Sequence, residues 1–210
     1  VARGAIVLDV GSGTGNYSHA LAPLRSDLTF VGLDVSRPML QEAARRGSQV
    51  RFACADASVA LPCRDGRCGL VFAVDVIHHL EHLATFFSEC ARVLQPESSL
   101  LLVTDSEKTF RRRSLTQYFP ELLAIELRRY PALESLHQHA AAAGLRLLKQ
   151  EAAEGQIPLT DDFLRKLAAK CSSAMRFLSP EAHEAGMDRL RAAQARGELW
   201  SSCYTVLHYG

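Results

Sequence analysis

Short apolar runs alternate with amphipathic stretches through the first half of the chain. Runs of this length that are rich in β-branched residues predict buried strands. The predicted strands cover residues 5–10, 28–34, 49–54, 68–76 and 99–104. Apolar residues at helical spacing predict helices between several of them. These helices cover residues 16–24, 36–47 and 80–94. Strands that alternate with helices in this way predict parallel βαβ units with right-handed crossovers.

Beyond residue 104 the pattern becomes mostly helical. The predicted elements are helices at 111–130, 132–143 and largely 160–196, with strands at 145–150 and 202–209. No repeat or linker-like composition interrupts the chain, so we expect one domain over residues 1–210. The expected fold is α/β, with a seven-stranded, mostly parallel sheet and helices on both faces. A helical insertion is expected near the C-terminus, over residues 157–199.

The composition narrows the classes of function. The chain has 210 residues and a net charge of +1, so no overall field gathers polyanions and nucleic acid is not an expected partner. No apolar run approaches the ~20 residues that span a bilayer, so no membrane association is expected. The oligomeric state stays open.

The six cysteines are scattered and form no C-x-x-C pair. They are Cys54, Cys63, Cys68, Cys90, Cys171 and Cys203. Scattered cysteines in a chain of this size favour reduced, buried thiols in a cytoplasmic protein. A zinc site is not expected, because no second paired set of ligands accompanies Cys63 and Cys68.

A glycine loop joins the first predicted strand to the first helix, in the run Asp9-Val10-Gly11-Ser12-Gly13-Thr14-Gly15. Glycines there let the backbone approach a ligand, and the following helix offers free N–H groups. A dinucleotide site prefers a glycine at position 16, but this chain has Asn16. It has instead an acid, Asp9, on the strand just before the glycines.

Two further acids fall at strand ends. Asp34 ends the second predicted strand, where a carboxylate can accept both hydroxyls of a ribose, and Asp56 follows the third. The carboxyl ends of parallel strands form the ligand crevice of open α/β sheets. Glycines after strands are often only turn formers, and Asp34 alone could belong to a helix cap. The arrangement of three acids and three glycines at strand ends favours a nucleoside site.

Together these motifs resemble the class I S-adenosylmethionine-dependent methyltransferases, in particular the type 11 small-molecule group, over residues 5–105. The run 72–80, Phe-Ala-Val-Asp-Val-Ile-His-His-Leu, matches the family's fourth-strand segment beside the methyl donor. Arg-Val-Leu-Gln-Pro at 92–96 matches the turn before strand five, although Glu97-Ser98 replaces the usual two glycines. The resemblance implies a Rossmann-like fold, with a cofactor-binding half at 1–105 and a substrate-facing half at 106–210.

The resemblance also implies a set of residues that bind S-adenosylmethionine. It places the methionine part on the glycine loop, the ribose on Asp34 and the adenine near Asp56. The implied cofactor-binding residues are Asp9, Gly11, Ser12, Gly13, Gly15, Tyr17, Asp34, Val35, Asp56, Ala57, Ala73 and Val74. Helices at 106–131 and 157–199 are expected to roof the acceptor pocket.

Two histidines are candidates for the acceptor side. We expect one of His78 and His79 to face the acceptor and the other to pack, and a role as general base stays open. His78 and His82 share a helical face, but no further ligand set accompanies them, so no metal is expected. The run Arg111–Arg113 is expected to be a solvated helix face, with an anion-binding rim as the functional alternative.

The expected activity is transfer of a methyl group from S-adenosylmethionine to a small-molecule acceptor by in-line displacement. One alternative is a non-catalytic S-adenosylmethionine-binding domain, or a fragment that lacks an N-terminal lid, because the first strand begins almost at once. A nicotinamide-dependent oxidoreductase is disfavoured by Asn16. A nucleic-acid methyltransferase is disfavoured because the fourth strand lacks the Asn/Asp-Pro-Pro-aromatic motif that holds a flipped base. The acceptor and its reacting atom stay open.

Overall fold

A computed structural model describes residues 1–47, 49–170 and 173–210 of the chain. Its centre is a seven-stranded sheet with the order β3-β2-β1-β4-β5-β7-β6. The strands are β1 (Ile6–Val10), β2 (Thr29–Asp34), β3 (Val50–Cys54), β4 (Cys68–Val74), β5 (Leu94–Thr104), β6 (Leu147–Pro158) and β7 (Leu199–Tyr209). Neighbours among β1 to β5 pair in parallel. The predicted seven-stranded, mostly parallel sheet is confirmed.

The last two strands depart from the parallel pattern. The Arg146 N–H donates to the Gly210 carbonyl at 2.8 Å, and the Gly210 N–H donates back to the Arg146 carbonyl at 3.0 Å. This reciprocal exchange is typical of antiparallel strands, so the start of β6 meets the end of β7.

The strand register brings the carboxyl ends of β1 to β4 to one edge. Val10 lies between Leu33 of β2 and Ala73 of β4, and Asp34 pairs with Cys54. The chain order reverses at β1, with β2 on one side and β4 on the other. A ligand crevice in an open α/β sheet forms at such a reversal.

The chain divides into two compact units. Unit 1 contains residues 1–104, 132–151 and 206–210, and unit 2 contains residues 105–131 and 152–205. The prediction of a single domain, with cofactor and substrate halves that meet at residue 105, stays a prediction.

Unit 1 has an apolar core on each face of the sheet. Leu8 packs in one core with Phe86 and Leu136, while its neighbour Val7 packs in the other with Phe30. Successive side chains of a strand point to opposite faces, so β1 supplies both cores. The helices of this unit are α1 (Asn16–Leu21), α2 (Arg37–Arg45), α3 (Leu83–Val93) and α7 (Leu133–Ala142).

Unit 2 has its own core, which contains Phe119, Leu122, Met175 and Leu190. Its helices are α4 (Glu107–Arg112), α5 (Ser114–Tyr118), α6 (Glu121–Arg129), α8 (Asp161–Ala168) and α9 (Pro180–Ala195). The predicted helix at 111–130 is wrong as one element. Arg113 has an extended backbone that separates α4 from α5, and Phe119 leaves the helical region before Pro120.

Other element boundaries also differ from the prediction. The predicted helix at 160–196 is interrupted after α8, where Lys170 has a φ of 53°, and residues 171 and 172 lie outside the described residues. β6 continues to Pro158, eight residues beyond the predicted strand end at 150, and all its residues are exposed. An exposed edge strand needs no apolar pattern, which is why its sequence did not mark it.

The cysteines are only partly as predicted. The five described ones are free thiols, and Cys171 lies outside the described residues. Cys68, Cys90 and Cys203 are buried, but Cys54 is exposed and Cys63 is half-buried. None of the helices in the described ranges is both long and apolar enough to cross a membrane.

Candidate functional site

The glycine loop lies at the carboxyl edge of the sheet, between the end of β1 and the start of α1. Gly11, Gly13 and Gly15 all have positive φ angles, of 72°, 53° and 74°. A Cβ on Gly11 would lie 2.3 Å from Val76 Cγ2, and one on Gly15 would lie 2.7 Å from Phe52 Cζ. These two glycines therefore allow close packing beneath the loop.

Gly13 differs from the other two glycines because its exposed side is open. The nearest atom to a Cβ built there is Met39 Sδ, at 3.8 Å. Space above bare backbone at the start of a helix suits close approach of a polar ligand. The sequence motif alone could not distinguish this glycine from its neighbours.

Asp34 is held at the end of β2 by two backbone amides. Its Oδ2 accepts a hydrogen bond from the Gly13 N–H at 2.8 Å, and its Oδ1 accepts one from the Ser36 N–H at 2.8 Å. The expected alternative of a cap-like role is thus partly right, because Ser36 precedes α2. Each carboxylate oxygen can accept further hydrogen bonds, and Asp34 is only half-buried. The carboxylate is oriented by the loop and still has acceptor capacity for a ligand.

Asp9 lies beneath the loop and is only 2% exposed. Its Oδ2 accepts a hydrogen bond from Ser18 Oγ at 2.7 Å. Burial raises the pKa of Asp9 to about 6, and the charge of Asp34 adds to the rise. These contacts indicate that Asp9 supports the first turns of α1 rather than presenting its carboxylate to solvent.

Ser12 contributes a buried hydroxyl. Within the described part of the chain, Ser12 Oγ has no hydrogen-bond partner. A Cβ on Gly32 would lie 2.7 Å from this oxygen, so glycine at position 32 makes room for it. An unsatisfied buried hydroxyl costs about 1–3 kcal/mol, which a hydrogen bond from a bound ligand would offset.

The end of β3 carries the second acidic position. Asp56 is exposed and its Oδ1 accepts a hydrogen bond from the Ser58 N–H at 2.8 Å, while Ala57 is buried. The Ala55 N–H donates to the Asp34 carbonyl at 3.1 Å, so these two strand ends are adjacent. Val35 is an exposed apolar residue between Asp34 and α2. An exposed apolar side chain of this kind is suited to pack against a flat ring of a ligand.

The end of β4 places the predicted histidines. Ala73 is buried and Val74 is half-buried. The His78 side chain is 2% exposed, with Nδ1 3.9 Å from Asp75 Oδ1, while His79 is exposed. The two imidazole rings lie 4.0 Å apart. One histidine therefore packs, and the role of the other toward an acceptor stays a prediction.

Two residues of this edge were missed by the sequence interpretation. Asp75 has a φ of 54°, a strained conformation for a non-glycine residue that concentrates at functional sites. Burial and the charges of Asp75 and Asp9 raise the pKa of the half-exposed Tyr17, so Tyr17 lies within electrostatic range of both. The sequence indicated Asp75 only as an acidic residue that directly follows an apolar strand.

Arg46 is the second missed residue. It follows α2 and its guanidinium donates to the Thr14 carbonyl at 2.9 Å and to Asn16 Oδ1 at 2.5 Å. Asn16, which argued against a dinucleotide site, is therefore part of the contact that ties α2 to the glycine loop. No sequence pattern connects positions 30 residues apart in this way.

The arginine run after β5 belongs to unit 2 and each member has a carboxylate partner. Arg111 pairs with Glu107 and Arg112 with Glu154, both with substantial exposure. The solvated helix face predicted for Arg113 is wrong, because its side chain is 10% exposed and lies 2.5 Å from the fully buried Asp105. Its guanidinium also lies 4.3 Å from the Tyr204 ring centre. This pairing gives the anion-binding alternative no support.

Over the described residues, no three His, Cys, Asp or Glu side chains are grouped as a metal would require. The features that converge at the sheet edge are bare backbone, oriented carboxylates and exposed apolar side chains. This combination suits an uncharged nucleoside with a polar, charged tail better than it suits a metal ion.

Comparison with known proteins supports this description. A family model described as a methyltransferase domain matches residues 8–102, the range that contains all the predicted cofactor-binding residues and both candidate histidines. Residues 8–102 are thus similar to the class I S-adenosylmethionine-dependent methyltransferases. The crystal structure of a protein described as a methyltransferase from an antibiotic biosynthesis pathway of Anabaena variabilis superimposes on this chain with a TM-score of 0.74. The two sequences are 23% identical, and the superposition covers 100% of this chain and 92% of the other. That likeness shows the methyltransferase fold.

Curated relatives in the methyltransferase family have diverse acceptors in their names. A malonyl-[acyl-carrier protein] O-methyltransferase of Legionella pneumophila is 34% identical over 50% of this chain and 38% of its own length. A trans-aconitate 2-methyltransferase of Methylobacterium nodulans is 36% identical over 48% of this chain and 38% of its own length. A tRNA (carboxymethyluridine(34)-5-O)-methyltransferase of Arabidopsis thaliana is 28% identical over 56% of this chain and 28% of its own length. The similarity thus spans less than half of each of these relatives, and the expected exclusion of nucleic acid is not confirmed.

Proposed function

We propose that this chain binds S-adenosylmethionine at the glycine loop and transfers its methyl group to a small-molecule acceptor by in-line displacement. The observation that carries the proposal is Asp34, whose carboxylate is oriented by the Gly13 and Ser36 amides at the reversal point of the sheet. The bound cofactor would supply a methyl group already activated on a sulfonium. The protein then needs mainly to align the reacting groups, which can account for about 7–11 kcal/mol of barrier.

The residues present fit this cofactor. We assign the ribose hydroxyls to Asp34, the adenine to the Val35 face and the Asp56–Ala57 turn, and the amino-acid tail to the open backbone at Gly13. Ser12 Oγ, buried without a partner among the described residues, supplies a further polar contact. Ala73, Val74 and Tyr17 border the methyl donor from β4 and α1. Gly11, Gly15 and Asp9 keep the loop in its binding shape.

The acceptor side is assigned to His79, which is exposed beside the packed His78 ring. His78, 3.9 Å from the Asp75 carboxylate, would act as a positioning residue for its neighbour. A hydroxyl acceptor would need His79 to take its proton. A carboxylate acceptor is already ionised near neutral pH and would need only alignment.

Carboxylate acceptors are the first class to test. Malonyl, aconitate and carboxymethyl groups, which the names of three relatives contain, all carry carboxylic acids. Because one of those names is a tRNA methyltransferase, tRNA is the second candidate. A net charge of +1 offers little general attraction to phosphates, so we favour the small acid. Methyl transfer from labelled cofactor to a panel of acids and to bulk tRNA separates the two.

The cofactor assignment is tested by titration calorimetry with S-adenosylhomocysteine. Asp34→Ala removes the ribose acceptor, and loss of charge-assisted hydrogen bonds of about 1.5–3 kcal/mol predicts roughly ten- to a hundredfold weaker binding. Asp27→Ala is the matched control, because Asp27 precedes the opposite end of β2 and pairs with exposed Arg25. Equal affinity of Asp34→Ala and the control contradicts the assignment. Thermal stabilisation by NADH but not by S-adenosylhomocysteine would favour the oxidoreductase alternative instead.

A further inference from the structure

Two cysteine sulfurs are in contact at the amino end of β4, the end opposite the candidate site. Cys63 lies in the connection between β3 and β4, Cys68 is the first residue of β4, and their Sγ atoms are 3.3 Å apart. Sulfurs in a disulfide are about 2.05 Å apart, so a bond needs an approach of about 1 Å. Both residues are free thiols, with Cys63 half-buried and Cys68 buried.

The backbone around the pair is already fixed. The Gly66 N–H donates to the Arg92 carbonyl at 2.9 Å, and the Arg67 N–H donates to the Val93 carbonyl at 2.8 Å. The Arg92 guanidinium in turn donates to the Cys63 carbonyl at 2.9 Å. The end of α3 thus holds the turn between the cysteines, so a bond requires movement of the side chains rather than rearrangement of the turn.

We propose that Cys63 and Cys68 are a modification site that forms a reversible disulfide with a small-molecule disulfide, such as oxidised glutathione, as the oxidant. The Cys63 thiolate attacks one glutathione sulfur and releases the first glutathione thiolate. Cys68 loses its proton to solvent and attacks the Cys63 sulfur, which releases the second. Two protein thiols are oxidised and one glutathione disulfide is reduced to two thiols. Exposure sets the order, because only Cys63 is accessible to the oxidant.

The second step is expected to be the slow one. Burial and the adjacent Cys63 raise the pKa of Cys68 to about 12, and only a thiolate attacks. The closing rate should therefore rise about tenfold per pH unit in the neutral to mildly alkaline range. The bond closes a short loop, so we expect it to raise the melting temperature by a few degrees. Its distance from the carboxyl edge of the sheet predicts unchanged affinity for S-adenosylhomocysteine.

Peptide mapping of the full chain tests the proposal. The protein is incubated with oxidised glutathione, its remaining thiols are alkylated, and it is digested with trypsin. Cleavage after Arg64 and Arg67 leaves peptides 52–64 and 68–92 connected only through the bond. We expect this linked pair from the wild type. Cys54→Ser, the matched control within peptide 52–64, should give it in equal yield.

The single variants separate the two chemical steps. Cys68→Ser should stop at glutathione attached to Cys63. Cys63→Ser should give no linked pair, and any glutathione on peptide 52–64 should then be attached to the exposed Cys54. Because Cys63 is half-buried, its variant remains usable if replacement of buried Cys68 prevents folding. Fully alkylated Cys63 and Cys68 in the oxidant-treated wild type would overturn the proposal. A bond from Cys68 to Cys90 inside peptide 68–92, or an equal yield from urea-unfolded protein, would also overturn it.

Discussion

Substitution of Gly11 and of Gly13, two glycines of the same loop, by alanine should affect stability and cofactor affinity differently. At both Gly11 and Gly13 an alanine is strained by positive φ, which costs about 1–2 kcal/mol. At Gly11 the new methyl would also lie 2.3 Å from Val76 Cγ2, and such overpacking adds about 1–3 kcal/mol. At Gly13 the nearest atom would be 3.8 Å away, so no packing cost is expected.

We therefore expect Gly11→Ala to lose about 2–5 kcal/mol of unfolding free energy and Gly13→Ala to lose about 1–2 kcal/mol. Gly13→Ala should nevertheless be the variant that loses cofactor affinity while folded, because its methyl occupies the open space above the loop. Urea denaturation measures the first quantity, and calorimetry with S-adenosylhomocysteine measures the second. Equal stability losses would refute the packing argument. Wild-type affinity in Gly13→Ala would refute the placement of the ligand.

Two further predictions concern buried charges. The pKa of Asp9 is raised to about 6 in the fold, so its stabilising contribution is present below pH ~4 and is lost as pH rises to about 6, by up to ~3 kcal/mol. Asp9→Asn should remove this pH dependence of the urea midpoint, and an unchanged profile would contradict the burial argument. Arg113→Ala removes the cationic partner of the buried Asp105 carboxylate and should cost about 3–5 kcal/mol in urea denaturation. Arg111→Ala, in an exposed ion pair, should cost under about 1 kcal/mol; similar losses in both would argue against a buried pair.

The sequence by itself determined the parallel sheet and the position of the glycine loop. Both are local signals: β1, β2 and β4 are buried runs that need apolar residues, and the loop needs glycine where φ is positive. The position of Asp34 was also predictable from a local signal. As the last residue of a parallel strand it lies at the carboxyl edge of the sheet, where open α/β sheets form their ligand crevice. β6 is exposed along its whole length, so it needs no apolar pattern. Most of this strand was therefore not predicted from the sequence.

The tertiary structure decided which of these residues are exposed at the carboxyl edge of the sheet and which support the loop. Asp9 and Asp34 are both acids at strand ends, yet only packing buries the first beneath α1 and leaves the second half-exposed. Contacts between distant positions, such as Arg46 with Asn16, leave no periodic trace in the chain. The periodic pattern of apolar residues shows which face of a helix or strand is buried. The partner of a polar side chain depends instead on which helices and strands pack against each other, and the pattern of one element does not contain that information.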